Sequence, residues 1–256
     1  MENYFYERLD DLFDRREICT GRRLKRFLQR QNFSVNGKRV YTRGERIAVY
    51  HDLLTLDGEP FYLPPDLNLV MNKVKGCLCT TKAGEYKTVY DYIPQEYFRK
   101  IMLNKLPTLH TVGRLDGDTE GLLILTTNGD LSHNLAVPEN EVSKKYFVQL
   151  RDCVDDKMKN IYIEKCSQGI ELPPLWNSQG FKTSPSTLLF INDNQCELTV
   201  TEGKYHEVKR IFAALDNQVI YLKRIEMGNF CLPPDLSPGM CREMTEKEIL
   251  LLLKKN

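Results

Sequence analysis

The chain has 256 residues, of which 41% are hydrophobic and 28% are charged, and its formal net charge is +1. This length and composition predict a soluble globular protein with one large domain and one small one. The longest aliphatic run, Ile249 to Leu253, is five residues, far short of the roughly 20 that a membrane span needs, and the acidic N-terminus lacks the apolar stretch of a secretory signal. We therefore expect a cytoplasmic protein without membrane contact.

Positive charge is concentrated near the start of the chain. Residues 15–46 hold 11 Lys and Arg against two Glu, a net charge of +9, which leaves 25 basic against 33 acidic residues, a net charge of −8, elsewhere. Segregated cations attract a polyanion to one end of a molecule. A solvated helix face could have the same composition, but this density of cations favours contact with nucleic acid.

The first elements predicted are two helices and a hairpin. Apolar residues at helical spacing predict helices over 7–14 and 20–31. The residues that follow alternate in polarity, and Asn36-Gly37 predicts a tight turn between two strands. The stretch 56–66, with its prolines and aspartates, predicts a linker to the rest of the chain.

This arrangement resembles the S4 RNA-binding domain. The resemblance is carried by residues 19–40, "CTGRRLKRFLQRQNFSVNGKRV", in which a small hydroxyl residue and a basic helix precede Val-Asn-Gly and a strand. It implies that residues 1–58 form an S4-like domain whose helix and hairpin contact phosphates of structured RNA. The residues implied in that contact are Arg22, Arg23, Arg26, Lys38 and Arg43.

Beyond the linker, strands dominate the pattern. Strands are predicted over 67–80, over 121–127, where Asn128-Gly129 closes the run, over "KKYFVQL" and over 196–203; helices are predicted over 206–215 and 245–255. Thr245 and Glu248 have the spacing of a capping box at the start of the last helix. We expect residues 66–256 to form an α+β domain with a mixed, mainly antiparallel sheet. The only tryptophan, Trp176, is predicted to anchor a core or a loop rather than to stack on RNA.

The loop before residues 121–127 places Asp116, Asp118 and Glu120 close to Arg114. Loop carboxylates before a strand usually form turns, and Arg114 alone would be a salt-bridge partner of Asp118 or Glu120. Asp118 and Glu120 could instead be the acid/base pair of a glycosidase. The sequence lacks the motifs of nucleotide hydrolysis, dinucleotide redox chemistry and zinc proteolysis. Its eight cysteines show no metal-ligand spacing, and we expect them to be reduced and packed.

The same loop also resembles the active-site motif of the pseudouridine synthases that modify ribosomal RNA. Four segments carry the resemblance: "GRLDGDTEGLLILTTNGDL" (113–131), "MNKVKGCLCT" (71–80), "SKKYFV" (143–148) and "TEGKYHEVKRIFAALDNQVIYLKRIEMG" (201–228). Tyr205-His206 followed by Val208-Lys209-Arg210 is closer to the enzymes of small-subunit rRNA than to those of large-subunit rRNA.

The resemblance implies a role for particular residues. Asp116 would be the essential carboxylate, which either attacks the sugar C1′ atom or removes a ribose proton, and Lys209 would favour its charged form. Tyr146 would stack on the target base, and Arg114 would fill the space left by the flipped nucleotide. The further RNA contacts implied are Asn72 and Lys73 beside the cleft, where a structural turn is the alternative, and a phosphate contact by Arg210.

The activity implied is isomerisation of one uridine in small-subunit (16S) ribosomal RNA to pseudouridine, without cofactor or metal. The expected partner is ribosomal RNA within a partly assembled small subunit, bound by a monomer of this protein. Two alternatives remain: a synthase that acts on large-subunit (23S) rRNA, and a non-catalytic rRNA-binding assembly factor on the same fold.

Overall fold

The computed structural model describes residues 4–82, 84–174 and 179–253. Trp176, which was predicted to be an anchor, lies outside these residues. Within them, no helix combines the length and the apolar character that crossing a membrane requires.

The N-terminal elements enclose a hydrophobic cluster of their own. In chain order they are β1 (Tyr6–Arg8), α1 (Leu9–Arg15), α2 (Gly21–Arg30), β2 (Phe33–Val35), β3 (Lys38–Arg39), β4 (Arg46–Ala48), β5 (Leu54–Leu56) and β6 (Glu59–Pro60). Four phenylalanine rings, Phe13, Phe27, Phe33 and Phe61, pack edge to face or stacked in this cluster. Both predicted helices and the predicted hairpin are therefore confirmed, and Asn36 and Gly37 take the positive φ values, 49° and 76°, of a tight hairpin turn.

The predicted linker is wrong over its first half. Asp57 and Gly58, both at positive φ, form a second tight turn, so that β6 pairs with β5. Leu63 is 6% exposed and packs in the same cluster as the helices. The three prolines of this stretch are typical of a connection, but its apolar residues Leu56, Phe61 and Leu63 complete the N-terminal core.

A nine-stranded sheet dominates the rest of the chain. Its strands are β7 (Asn68–Lys73), β8 (His110–Thr111), β9 (Glu120–Thr126), β10 (Lys144–Leu150), β13 (Thr187–Phe190), β14 (Gln195–Val200), β15 (Val219–Met227), β16 (Phe230–Cys231) and β17 (Cys241–Glu243), and a separate pair is formed by β11 (Glu171–Leu172) and β12 (Phe181–Lys182). The order is β13-β14-β10-β15-β9-β7-β17, with β16 on β15 and β8 on β9. Among the strands of this sheet that the structure describes, only β9 and β15 run parallel. The expected α+β architecture with a mixed, mainly antiparallel sheet is confirmed.

Five helices accompany this sheet in the described residues: α3 (Gln95–Leu103), α4 (Gly129–Ala136), α5 (Asp156–Gln168), α6 (Glu207–Ala214) and α7 (Glu246–Leu253). The last two were predicted, and the capping box of α7 is formed, because the amides of Thr245 and Glu248 donate to each other's side chains. The first three were not predicted. Helix α5 buries only two residues, and α3 buries none fully, because its apolar residues Tyr97, Phe98 and Ile101 are only partly covered by the core. Asn128, expected to close a strand, instead caps α4 by accepting a hydrogen bond from Leu131 N at 3.0 Å.

Arg15 connects the two parts of the chain. Its guanidinium contacts Glu7 at 2.8 Å, Asp66 at 3.0 Å and Asp130 at 2.7 Å, and Arg16 also contacts Asp66 at 3.0 Å. These two arginines belong to the basic segment, yet their side chains turn inward and neutralise buried carboxylates. The other cations of the segment face solvent on α2, on β3 and in the residues from there to the start of β4.

One row of residues crosses the centre of the large sheet. Tyr146 of β10 faces Arg224 of β15, which faces Gly121 of β9, which faces Lys73 of β7. Gly121 has φ +98°, and a Cβ atom there would lie 2.2 Å from the carbonyl oxygen of Arg224. A side chain at this position would therefore push β9 away from β15.

We expect Gly121→Ala to lower the free energy of unfolding by roughly 3 kcal/mol, because it adds both a backbone clash and an unfavourable φ. Urea titration followed by circular dichroism measures this change. Gly129→Ala is the matched control, since a Cβ atom at Gly129 meets nothing within 4 Å and alanine favours the helix. Equal stability of the two variants would contradict the close approach of β9 and β15.

Candidate active site

The loop between β8 and β9 is held in place from below by a buried lysine. Lys73, fully buried, donates from Nζ to the carbonyl oxygens of Asp116 at 3.0 Å, Thr119 at 2.8 Å and Val74 at 3.2 Å. The amide of Gly76 donates to Gly117 O at 2.7 Å from the neighbouring loop. The sequence prediction that Lys73 contacts RNA is therefore wrong, because its ammonium group is buried and bound to backbone carbonyl oxygens, two of which belong to the loop that carries Asp116.

Asp116, Asp118 and Lys209 form a charged cluster above this loop. Lys209 Nζ lies 2.9 Å from Asp116 Oδ2 and 2.6 Å from Asp118 Oδ1. Helix α6 supplies Lys209, and the fold brings it to two carboxylates that are more than ninety residues earlier in the chain. His206, just before the helix, adds Nε2 at 3.5 Å from Asp116 Oδ1.

The charges in this cluster stabilise one another. Burial opposes protonation of Lys209, but its hydrogen bonds to Asp118 and Asp116 and their charges outweigh burial and raise its pKa. Burial likewise opposes ionisation of Asp118, and the hydrogen bond and charge of Lys209 outweigh it and lower the pKa of Asp118. Lys209 is therefore a full cation at neutral pH and pins the Asp116 carboxylate from one side.

A pocket of about 120 Å³ opens beside Asp116. Its floor is the face of the sheet on which Tyr146, Lys144, Leu222 and Arg224 lie, and its walls include Val112, Leu135, Val208 and Met227. The side chain of Tyr146 is 8% exposed. The register of β10 and β15 shifts between Lys145 and Tyr146, and such bulges redirect side chains next to functional sites. The result is a slot that both apolar and charged side chains line, with Asp116 and Lys209 at one end.

The structure places Arg114 and Tyr146 in the pocket with Asp116 and Lys209, although the four residues come from three different segments. Arg114 is exposed and lies at the opening. His206 has left-handed backbone angles, φ 52° and ψ 29°, and its ring stacks on Tyr205 with centroids 3.9 Å apart. Backbone conformations of this kind are costly for residues other than glycine and occur often at functional sites.

Two further predicted RNA contacts, Asn72 and Arg210, are buried. Asn72 is 5% exposed and donates from Nδ2 to Leu236 O at 2.7 Å. It lies within β7, so neither the RNA contact nor the structural turn applies. Arg210 is 6% exposed, donates to Pro173 O at 2.7 Å and lies 4.8 Å from the centre of the Phe181 ring. A phosphate contact by Arg210 is therefore wrong, because its guanidinium is enclosed by protein.

The glycosidase hypothesis also fails on geometry. Asp118 is paired with Lys209, whereas Glu120 accepts a hydrogen bond from the Tyr221 hydroxyl at 2.8 Å. Neither carboxylate lines the pocket. The two acids do not flank a common site, as a glycosidase needs.

The sequence prediction missed four charged residues of the pocket: Lys144, Lys204, Glu207 and Arg224. A period of two along "KKYFVQL" places Lys144 on the same face as Tyr146, so this residue was detectable. Arg224 lies on β15, for which no strand was predicted, because "VIYLKRIEM" opens on four apolar residues in a row and does not alternate. Glu207 looked like an ordinary residue of the first turn of a helix.

The five cations predicted to dock RNA all lie on the surface. Arg22, Arg23 and Arg26 are exposed on α2, and Lys38 and Arg43 are exposed on and after the hairpin. The first turn of α2 contains no acidic residue. This part of the basic segment therefore exposes positive charge to solvent both on α2 and on and after the hairpin.

Comparison with known proteins adds independent findings. A model of the RNA pseudouridylate synthase family matches residues 67–214. The chain is 31% identical to ribosomal small subunit pseudouridine synthase A of Haemophilus influenzae, over 96% of its own length and 100% of that protein. It is 34% identical to the protein of the same name in Escherichia coli, over 84% of its length and 87% of that protein. An uncharacterized RNA pseudouridine synthase of Bacillus subtilis is 35% identical, with 96% and 98% covered.

A solved structure extends the likeness to three dimensions. The crystal structure of a pseudouridylate synthase superposes with a TM-score of 0.64 at 31% sequence identity, and the match covers 96% of this chain and 99% of that one. The similarity therefore includes the basic N-terminal elements as well as the sheet and its pocket.

Proposed function

The chain belongs to the RNA pseudouridylate synthase family and is therefore an isomerase that acts on RNA; from that premise we propose that it converts one specific uridine of small-subunit ribosomal RNA to pseudouridine, with Asp116 as the catalytic carboxylate. The observation that carries this proposal is the Asp116 carboxylate, which lies 2.9 Å from Lys209 at one end of the pocket floored by Tyr146. We further propose that the protein acts as a monomer in the cytoplasm, on RNA within a partly assembled small subunit.

The reaction suits this set of groups. It breaks the bond between C1′ of the ribose and N1 of uracil, turns the base and joins C1′ to C5, with no net oxidation and no group from outside. A carboxylate can attack C1′ or remove a ribose proton, and a base stacked on Tyr146 can turn within the pocket. Lys209 holds the carboxylate in one orientation before the nucleotide enters, and no cofactor takes part in the proposed steps.

The choice of small-subunit RNA rests on two supports. The similar proteins of Haemophilus influenzae and Escherichia coli are named for the small subunit, and Tyr205-His206 with Val208-Lys209-Arg210 resembles that type of enzyme. Large-subunit RNA is the alternative that the experiment has to separate.

Release of tritium from RNA labelled with 5-³H-uridine tests the proposal, because the C5 hydrogen is lost when pseudouridine forms. We expect release from small-subunit RNA, offered naked and as a partly assembled particle, at no more than one equivalent per RNA. Release from large-subunit RNA alone would assign the enzyme to the other subunit. Binding without release from either RNA would instead support a non-catalytic assembly factor.

We also propose that the N-terminal elements dock the RNA. The S4-like domain predicted over residues 1–58 is extended here to Leu63, because that residue completes its hydrophobic cluster. The exposed cations Arg22, Arg23, Arg26, Lys38 and Arg43 supply the contacts to phosphates. Such contacts position a nucleic acid without reading its sequence.

Replacing Arg22 and Arg26 with Ala is expected to weaken RNA binding and to reduce its salt dependence. Each lost phosphate contact lowers the slope of log K against log salt by roughly 0.7 to 0.9, so the pair should lower it by roughly 1.5. Filter binding between low and physiological salt measures the slope. Lys157→Ala with Lys165→Ala, at exposed positions of α5, removes the same charge elsewhere and should leave the slope unchanged. Equal slopes for both pairs would remove α2 from the docking surface.

A further inference from the structure

Two buried cations lie side by side on the floor of the pocket. Arg224 of β15 is 2% exposed and Lys144 of β10 is 6% exposed. Both lie on the sheet face that carries Tyr146, and Arg224 is the cross-strand partner of Tyr146. A base stacked on the Tyr146 ring would therefore have Arg224 beside its edge.

The guanidinium of Arg224 is only partly used by the protein. Nε donates to Leu122 O at 2.8 Å, while Nη2 has no hydrogen-bond partner in the described part of the chain. Lys144 differs, because its Nζ donates to Val142 O at 2.9 Å and Thr201 O at 3.2 Å. An arginine with spare buried donors is costly unless an acceptor arrives to meet them. Arg224 is thus suited to an acceptor that the protein itself does not supply.

The charge around Arg224 is positive. Burial, followed by the charge of Arg224, lowers the pKa of Lys144 to about 8. The acid on this side of the pocket is Glu207, and burial is the main cause that raises its pKa to about 7. Near neutral pH Glu207 is therefore only partly ionised and offsets part of one positive charge. An anion at the floor of the pocket would be stabilised.

The reaction creates an anion there. When the bond between C1′ and N1 breaks, its electron pair stays with uracil, and Asp116 becomes neutral, either as an ester with C1′ or as an acid that holds the ribose proton. One negative charge thus moves from Asp116, beside Lys209, to the uracil base. A cation fixed beside the base stabilises this charge without reorganisation.

We propose that Arg224 is a further catalytic residue, which donates from its guanidinium to the detached uracil anion and stabilises it until C5 attacks C1′. Lys144 adds positive charge behind it through its fixed ammonium group. This inference rests on the proposed function, because it takes Asp116 as the group that gives up its charge.

The test compares two leaving groups on the rRNA segment that the wild-type protein modifies. One RNA carries uridine at the target position, and the other carries 5-fluorouridine, whose fluorine withdraws electrons and makes the departing anion more stable on its own. Single-turnover loss of the target nucleoside is followed by nuclease digestion and chromatography. The variants are Arg224→Gln, which removes the charge, and Arg224→Lys, which keeps it. Arg242→Gln is the control: Arg242 lies on β17 of the same sheet, pairs with Glu248 of α7 and does not line the pocket.

We expect Arg224→Gln to slow the uridine reaction about 100-fold and the 5-fluorouridine reaction about tenfold or less, with Arg224→Lys between it and the wild type. Arg242→Gln should change neither rate. An equal loss of rate by Arg224→Gln on both RNAs would overturn the proposal and would fit a contact of Arg224 to the RNA backbone. An unchanged rate on the uridine RNA would also overturn it. If Arg224→Gln does not fold, the same comparison is made with Arg224→Lys. Absence of wild-type turnover would count against the proposed function instead.

Discussion

Asp116→Asn is expected to abolish turnover while leaving the fold and the RNA affinity intact. Asparagine keeps the size of the side chain but can neither attack C1′ nor accept a ribose proton. We expect tritium release to fall by at least about 10⁴-fold, the order of loss caused by removing one member of a cooperating catalytic set. Release is measured in single turnover, with filter binding and thermal melting recorded on the same preparation.

Asp118→Asn is the matched control for this substitution. Asp118 also contacts Lys209, at 2.6 Å, but its side chain is 57% exposed and does not line the pocket. We expect its loss to reduce release by about tenfold or less, because an exposed ion pair contributes little. Turnover retained by Asp116→Asn, or an equal loss in the two variants, would remove Asp116 from its proposed role.

The fold was predictable where local pattern and tertiary packing agree. Strand β10 alternates and buries every second residue, and Thr245 and Glu248 form the capping box that their spacing indicates. The sequence pattern did not predict helices that bury few residues fully, such as α3. It also misled where one motif is compatible with two structures. Asn128-Gly129 is a hairpin signal in isolation, yet its asparagine caps α4 because β9 is paired on both sides and needs no returning strand.

The site was predictable through the resemblance and not through the residues alone. Asp116 and Lys209 are far apart in the chain, and nothing local indicates that a helix after β14 would place a lysine 2.9 Å from that carboxylate. The roles of the cations near the site were harder to predict. A lysine or arginine in such a motif suggests a contact to RNA whether its side chain is exposed or buried. Lys73 and Arg210 turned out to be buried and bound to carbonyl oxygens. Their partners come from other segments, so the sequence held no sign of them.

The second large effect is expected at Lys209. Lys209→Met should reduce the single-turnover rate by about 10²- to 10³-fold, because it removes the cation that orients Asp116 and leaves the Asp116 and Asp118 carboxylates to repel each other. Lys209→Arg should recover the rate to within about tenfold of wild type, since a guanidinium can contact both carboxylates. The rates are measured by tritium release at saturating protein, so that weaker RNA binding does not enter.

Comparing Lys209→Met with Asp118→Asn shows whether Lys209 acts by holding Asp116 in place or only as a member of an ion-pair network. If Lys209 acts by holding Asp116, Lys209→Met should reduce the single-turnover rate at least about tenfold more than Asp118→Asn does. Lys209→Arg should then recover activity. Equal small effects at Lys209 and Asp118 would mean that the cluster is only a surface ion-pair network. Because Lys209 is partly exposed, at 24%, its removal should change the free energy of unfolding by only about 1 kcal/mol. A loss of rate without a matching loss of stability therefore identifies Lys209 as the residue that positions the catalytic carboxylate.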